Sequence, residues 1–281
     1  MTICVGIKVQ DCIVFAADST SSLQAEINGG MQVVNTYDHG NKLFNLKRGL
    51  PIAAMTAGIG NFGPSSISTI SKDFRCLLDD NTSEYHVKRD DYHVRDIADA
   101  ARDYFFHQRY QKLASKPVGA FQYWVGGYSS GAEMGEIWTF VIRDGVCDPP
   151  VCVADQDVPS GMSWGGAPEA INRLVLGYSQ GLRNALHAGG LAEDKVGAAL
   201  EGIAQHTQAN LVHPAMPVAD AVALARFLAE STKQFVRFLP GGNTVGGDID
   251  IAVITKHENF KWIDRKHFYT GNLNPLETDH A

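Results

Sequence analysis

Apolar residues at Ile3, Val5, Ile7 and Val9 alternate with their neighbours at a period of two, the mark of a β-strand with one face buried. After a turn at Gln10-Asp11, the run Ile13-Val14-Phe15-Ala16-Ala17 is apolar throughout and reads as a fully buried strand that ends on Asp18. Residues 41–46 and 51–58 read as two more strands joined at Lys47-Arg48-Gly49. The period then becomes helical. Ile67, Ile70, Phe74, Leu77 and Leu78 follow it after Pro64, and Val94, Ile97, Ala101, Tyr104 and Phe105 repeat it. Residues 121–125 and 137–142 return to strand, linked by Gly126-Gly127-Tyr128-Ser129-Ser130-Gly131, which is assigned to a turn because it is too glycine-rich for a helix. Pro168 opens a helix with Ile171, Leu174, Val175, Tyr178 and Leu182 inward, and residues 196–203 and 218–228 give two further helices on the same side. Residues 249–255 and 260–263 close the pattern as strands, before a polar tail from 271 to 281. Strands in runs and helices in runs predict an α+β fold with two stacked sheets and helix layers outside, an αββα arrangement.

The composition agrees with one domain, 1–281, since a chain that is 44% apolar can bury a core without covalent staples. A net charge of −7 and no basic cluster longer than Lys47-Arg48 or Arg265-Lys266 argue against a nucleic-acid partner. No stretch approaches the ~20 apolar residues needed to cross a bilayer, and the N-terminus lacks a charged-then-apolar leader, so a cytoplasmic protein without a membrane partner is expected. Five cysteines without a Cys-x-x-Cys pair read as buried thiols, with Cys4 as packing. Ten histidines include His86, His93, His107, His206 and His213, but none stands at metal-ligand spacing. No metal and no cofactor is expected.

The chemistry of interest lies at the start. Thr2 follows only Met1 and opens the first strand. Removal of the methionine would leave one residue with both a nucleophilic hydroxyl and a free α-amine, whose pKa near ~7.7–8 suits it to accept the hydroxyl proton. Asp18 closes an apolar strand, Lys42 opens another and Gly58 ends a third. A sheet that brings Thr2, Asp18 and Lys42 together would hold an ion pair beside the hydroxyl, whose acidity the ammonium raises. Gly58, without a side chain, could offer its backbone N–H to an oxyanion at close range.

The order T-x-x-x-G-I-K, V-F-A-A-D-S, N-K-L-F, M-T-A-G-I-G resembles the N-terminal half of proteasome β-type subunits, members of the N-terminal-nucleophile hydrolase superfamily. The resemblance implies the four-layer αββα sandwich of those hydrolases, with Thr2 as nucleophile, Asp18 and Lys42 as charge partners, and the Gly58 amide as oxyanion donor. It implies Ser22 and Gly60 as residues that bind substrate backbone as an added strand. Thr56 and Gly60 would border an open, uncharged pocket for the residue before the cut.

The second half departs in detail. Ser163-Trp164-Gly165-Gly166 stands where the family carries Gly-Ser-Gly, with Gly166 opposite the usual serine, so that role is vacant or falls to Ser163. Gly242-Asn243-Thr244-Val245-Gly246-Gly247 stands where an Asp-x-x-Ser-Gly-Gly segment is expected, with Asn243 and Thr244 as alternative hydrogen-bond donors. These departures and an insertion at 25–38 are similar to bacterial relatives, the ancestral-β-subunit (Anbu) group and, more closely, the betaproteobacterial proteasome homologue. The resemblance implies a threonine peptidase working on peptides or unfolded protein inside homo-oligomeric rings, with an ATP-dependent unfoldase as a partner that this chain does not encode. Two other classes stay open: an N-terminal-nucleophile amidase acting on a small amide, and a non-catalytic ring scaffold.

Overall fold

The computed structural model of the chain describes residues 2–27 and 29–266, so Met1 and the expected polar tail from 271 lie outside the described residues. The first half contains β1 (Ile3–Lys8), β2 (Ile13–Ala17), β3 (Ser21–Ile27), β4 (Gly30–Tyr37), β5 (Leu43–Asn45), β6 (Ile52–Gly58), β7 (Asn61–Phe62) and β8 (Ser65–Ser66). Helices α1 (Ile67–Asp79) and α2 (Val94–Arg102) follow, the second running on into a π-helical segment, Asp103–Tyr110. Then come β9 (Ala120–Gly127), β10 (Glu136–Arg143), β11 (Val146–Cys147), β12 (Val151–Ala154) and β13 (Gly161–Gly166). The last part holds α3 (Glu169–Ile171), a second π-helical segment (Asn172–Leu176), α4 (Leu182–Ala188), α5 (Glu193–Thr207), α6 (Val218–Arg237), β14 (Asp250–Thr255) and β15 (Asn259–Asp264).

The result is a mixed fold of antiparallel sheets and helices. One sheet has the order β13-β1-β2-β14-β15, and the other β11-β10-β9-β6-β5, with β12 also paired to β10. Three apolar clusters follow from the alternation within the strands. Ile3, Val5 and Ile7 of β1 pack with Ala221, Ala225 and Leu228 of α6, whose alanines let the helix lie close to β1, β2 and β14. Cys4, Phe15 and Ala17 from the opposite face of the same sheet meet Ala53, Met55 and Trp124 of the other sheet. The outer face of that second sheet, with Phe121, Tyr123 and Phe140, packs on Phe74 of α1, Ala98 of α2 and Phe105 of the π-helical segment.

Three sequence expectations need correction. The strand expected to stop at residue 125 continues through Gly126 and Gly127. A Cβ on Gly126 would sit 2.5 Å from the Phe15 ring of the other sheet, so this glycine admits close approach of the two sheets rather than a turn. The single helix expected after Pro168 breaks into α3, a π-helical turn and α4, with Gly177 left-handed between them. The π turn rotates the side chains out of the expected phase, leaving Ile171 and Val175 buried while Leu174 is exposed. Finally, α4 buries no residue and α5 only Val196, so α6 supplies most of the helical cover on that side.

The expected insertion at 25–38 lies within a hairpin, β3 paired to β4 from Ser21↔Tyr37 to Ile27↔Gly30. Among the described residues the far edge of β3 pairs with no strand.

Candidate active site

Thr2 stands immediately before β1, between the ends of β2 and β13, and is buried. Its carbonyl accepts from the Ala167 N–H at 2.7 Å. The neighbouring Ile3 is tied on the other side in both directions: its N–H donates to Asp18 Oδ1 at 3.1 Å, and its carbonyl accepts from the Asp18 N–H at 3.2 Å. The main chain at residue 2 is thus clamped between two strands. Gly166 makes the approach from β13 feasible. It holds φ at +89°, and a Cβ there would lie 1.8 Å from the Thr2 carbonyl oxygen.

Asp18 is fully buried, and each of its oxygens is used twice. Oδ1 accepts from Ile3 N and from Lys42 Nζ at 2.7 Å; Oδ2 accepts from Thr20 N at 3.2 Å and Gly246 N at 3.0 Å. A carboxylate offers about four acceptor sites, and here they are filled by three main-chain donors and one ammonium. Lys42, just before β5, is 8% exposed. The pair is therefore buried and fully hydrogen-bonded on the carboxylate side, the condition under which an ion pair can persist out of water. Cys4 lies two residues from Thr2 but is not a competing nucleophile. Burial pushes its thiol well up, with the Lys42 ammonium opposing and the Asp18 charge adding, and Cys4 Sγ donates to the Thr56 carbonyl at 3.3 Å.

The residues expected on the substrate side lie at the end of β6 and the start of β3. Gly58 closes β6 opposite Phe121, with φ at +95° and a virtual Cβ only 1.9 Å from the Ala120 carbonyl oxygen. No side chain fits there, and the position is exposed. Gly60 is exposed too, and a Cβ built on it would lie 3.6 Å from the Ser21 hydroxyl, so the start of β3 faces the 58–60 turn. Its carbonyl already accepts from Ile67 N at 2.9 Å, at the start of α1. Ser22 Oγ is buried without a partner. Thr56 is buried, donating its hydroxyl to the Gln122 carbonyl at 3.1 Å.

The supporting residues expected around the nucleophile are placed differently. Ser163 pairs with Gly6, three positions along β1 from the Ile3↔Gly166 pair, and its hydroxyl would meet a Cβ on Gly6 at 3.1 Å. It packs between the sheets without a hydrogen-bond partner and does not fill the vacant serine role beside Thr2. Asn243 and Thr244 make no hydrogen bond to the site, and the Thr244 hydroxyl is buried without a partner. The same segment acts through its backbone instead. The Gly246 carbonyl accepts from both Ser19 N and Thr20 N while its N–H holds Asp18, a clamp that the side-chain pattern did not reveal. Also unforeseen is the buried pair of Lys266 with Asp250, which reaches Ser19. Among the described residues no three His, Cys, Asp or Glu side chains converge as a metal site, and no helix is long and apolar enough to cross a membrane.

No protein-family model matches the chain, and no curated protein matches it. Solved structures do. An Anbu (Gly-1) mutant from Hyphomicrobium sp. strain MC1 aligns over 95% of this chain and 86% of its own, at 16% identity and a TM-score of 0.53. The chain has the fold of Anbu. A second such structure, Anbu (ancestral beta-subunit) from Yersinia bercovieri, covers 95% of this chain and 89% of its own, at 15% identity and a TM-score of 0.46. At these identities the likeness to Anbu is one of fold, and the chemistry has to be argued from the residues around Thr2.

Proposed function

We propose that the chain is an N-terminal threonine peptidase of the proteasome β type, acting in the cytoplasm on peptides or unfolded protein inside a homo-oligomeric ring. The two helix layers and two sheets then form the αββα sandwich of N-terminal-nucleophile hydrolases, a single domain across 1–281. The observation that carries this reading is the buried Lys42/Asp18 pair, whose carboxylate also grips the N–H of the residue next to Thr2. A scaffold subunit has no need of an ionic group there. The start of β3 lies by the exposed Gly60, and among the described residues β3 keeps one edge unpaired; both support an extended peptide as substrate, added as a strand, over a small amide.

In the proposed reaction Met1 is first removed. The Thr2 amine takes the proton of its own hydroxyl, whose oxygen attacks the scissile carbonyl, while the Lys42 ammonium stabilises the developing alkoxide. The Gly58 N–H receives the oxyanion. The protonated amine then delivers its proton to the leaving nitrogen, giving an ester on Thr2, and water activated by the same amine hydrolyses it.

Hydrolysis of short fluorogenic peptides with an uncharged residue before the cut tests this directly. Thr2→Ala is expected to bring turnover to background with unchanged sedimentation; peptide turnover that survives in Thr2→Ala would overturn the reading. A stable monomer of 30.5 kDa at micromolar concentration would contradict the ring.

A further inference from the structure

Directly behind the Asp18 turn lies a second buried ion pair. Asp250 opens β14 and pairs in register with Ala17, so it stands beside the end of β2 from which Asp18 projects. Its carboxylate accepts from the Lys266 main-chain N–H at 3.1 Å and from Lys266 Nζ. Both side chains are under 5% exposed. The ammonium also donates a 2.7 Å hydrogen bond to Ser19 Oγ.

Ser19 has no freedom left. Its hydroxyl accepts from Lys266 and donates to the Asp248 carbonyl at 2.6 Å, its N–H donates to Gly246, and its carbonyl accepts from Gly40. Ser19 is flanked by Asp18 and by Thr20, whose N–H also holds Asp18. Fixing Ser19 therefore fixes the carboxylate that orients Lys42. A buried ion pair placed only for stability would not need to reach this serine, and neutral residues of similar size often serve as well or better in that role.

We propose that Lys266 is a positioning residue for the Thr2 site, acting through Ser19 to hold the Asp18 turn. The segment after β15 thereby carries part of the active-site geometry. The assignment rests on the peptidase reading for its effect on turnover, but not for its effect on the turn.

Two variants separate positioning from folding. Ser19→Ala removes the hydroxyl link and leaves the ion pair. Lys266→Met with Asp250→Leu removes both charges together, so that no buried charge is left unpaired. Hydrogen exchange read by mass spectrometry on fragments covering residues 18–20 and 246 is expected to quicken about tenfold in both variants, while α1 keeps its protection. Peptide kcat should fall about tenfold with KM within about twofold. Unchanged exchange at the turn, or unchanged kcat despite a loosened turn, would overturn the proposal. Faster exchange at the turn in the two variants, with a wild-type protein that hydrolyses no peptide, would leave Lys266 as the anchor of the turn and remove the peptidase reading instead.

Discussion

A buried lysine stands near each end of β1, Lys42 tied through Asp18 to Ile3 and Lys8 at the far end, and the two ends are built on different terms. At the first, the ammonium meets a carboxylate whose remaining acceptor sites are taken by the N–H groups of Ile3, Thr20 and Gly246. At the second, the partner Lys8 finds among the described residues is the main-chain carbonyl of Asp155. The buried carboxylate nearby, Glu136, is satisfied by neutral donors: Ser129 Oγ at 2.5 Å, Trp138 Nε1 at 2.6 Å and Gln156 Nε2 at 2.7 Å. Burial pushes the Lys8 ammonium down from its ordinary value, with Asp155, Cys152, Glu136 and Asp157 opposing. Burying a lysine is thus not what makes a site. What sets the Thr2 end apart is the pairing of its lysine with a carboxylate that also grips the chain next to the proposed nucleophile.

The comparison breaks most visibly on the Lys42 side. Lys42→Ala is expected to lower peptide turnover about 10³-fold, the range for losing one preorganised electrostatic group, while circular dichroism stays native. Near-normal turnover would remove the lysine from the mechanism. Asp18→Ala strands a buried ammonium and three main-chain donors, and should cost ~3–5 kcal/mol in urea unfolding as well as activity. The Gly166→Ala substitution forces a side chain onto the Thr2 carbonyl and should cost ~1–3 kcal/mol, with turnover falling in step.

The smallest effect lies at the other end. Lys8→Met should leave turnover unchanged and raise stability slightly at neutral pH. A lysine whose folded pKa is depressed binds fewer protons than in the unfolded chain between the folded value and about 10.4, so wild-type stability rises with pH across that window. Lys8→Met should lose that rise, which urea midpoints at pH 8 and pH 10 would detect.

How far the sequence reveals this arrangement depends on what each residue does. Thr2, Asp18, Lys42 and Gly58 all sit at strand ends, and strand ends follow from apolar runs, so their places along the chain were legible, while the meeting of Lys42 with Asp18 next to Ile3 was implied by the family resemblance. Gly166 was legible as a missing serine, whereas its steric role needs the register of β13 against β1. Ser163 was misplaced because proximity in sequence to Gly166 says nothing of a position three residues along the pair. The hairpin had a usable signal, since Asn28-Gly29 is the dipeptide favoured in tight hairpin turns. The Gly246 clamp left none, because it works through main-chain groups that every residue carries. Lys266 and Asp250 join across sixteen positions with no local period to mark them. The two π-helical segments escaped for a related reason: a helical period of apolar residues does not record an extra residue in the turn.

In the proposed reaction one residue carries both nucleophile and base. A peptide epoxyketone reads the two together, because the hydroxyl must add to its ketone and the α-amine must open its epoxide for the closed ring adduct to form. Treated protein, digested and sequenced by mass spectrometry, should yield an N-terminal fragment that begins at Thr2 without Met1 and carries the closed adduct on that residue. A fragment that retains Met1, or an adduct on Cys4 or elsewhere with Thr2 unmodified, would contradict the account.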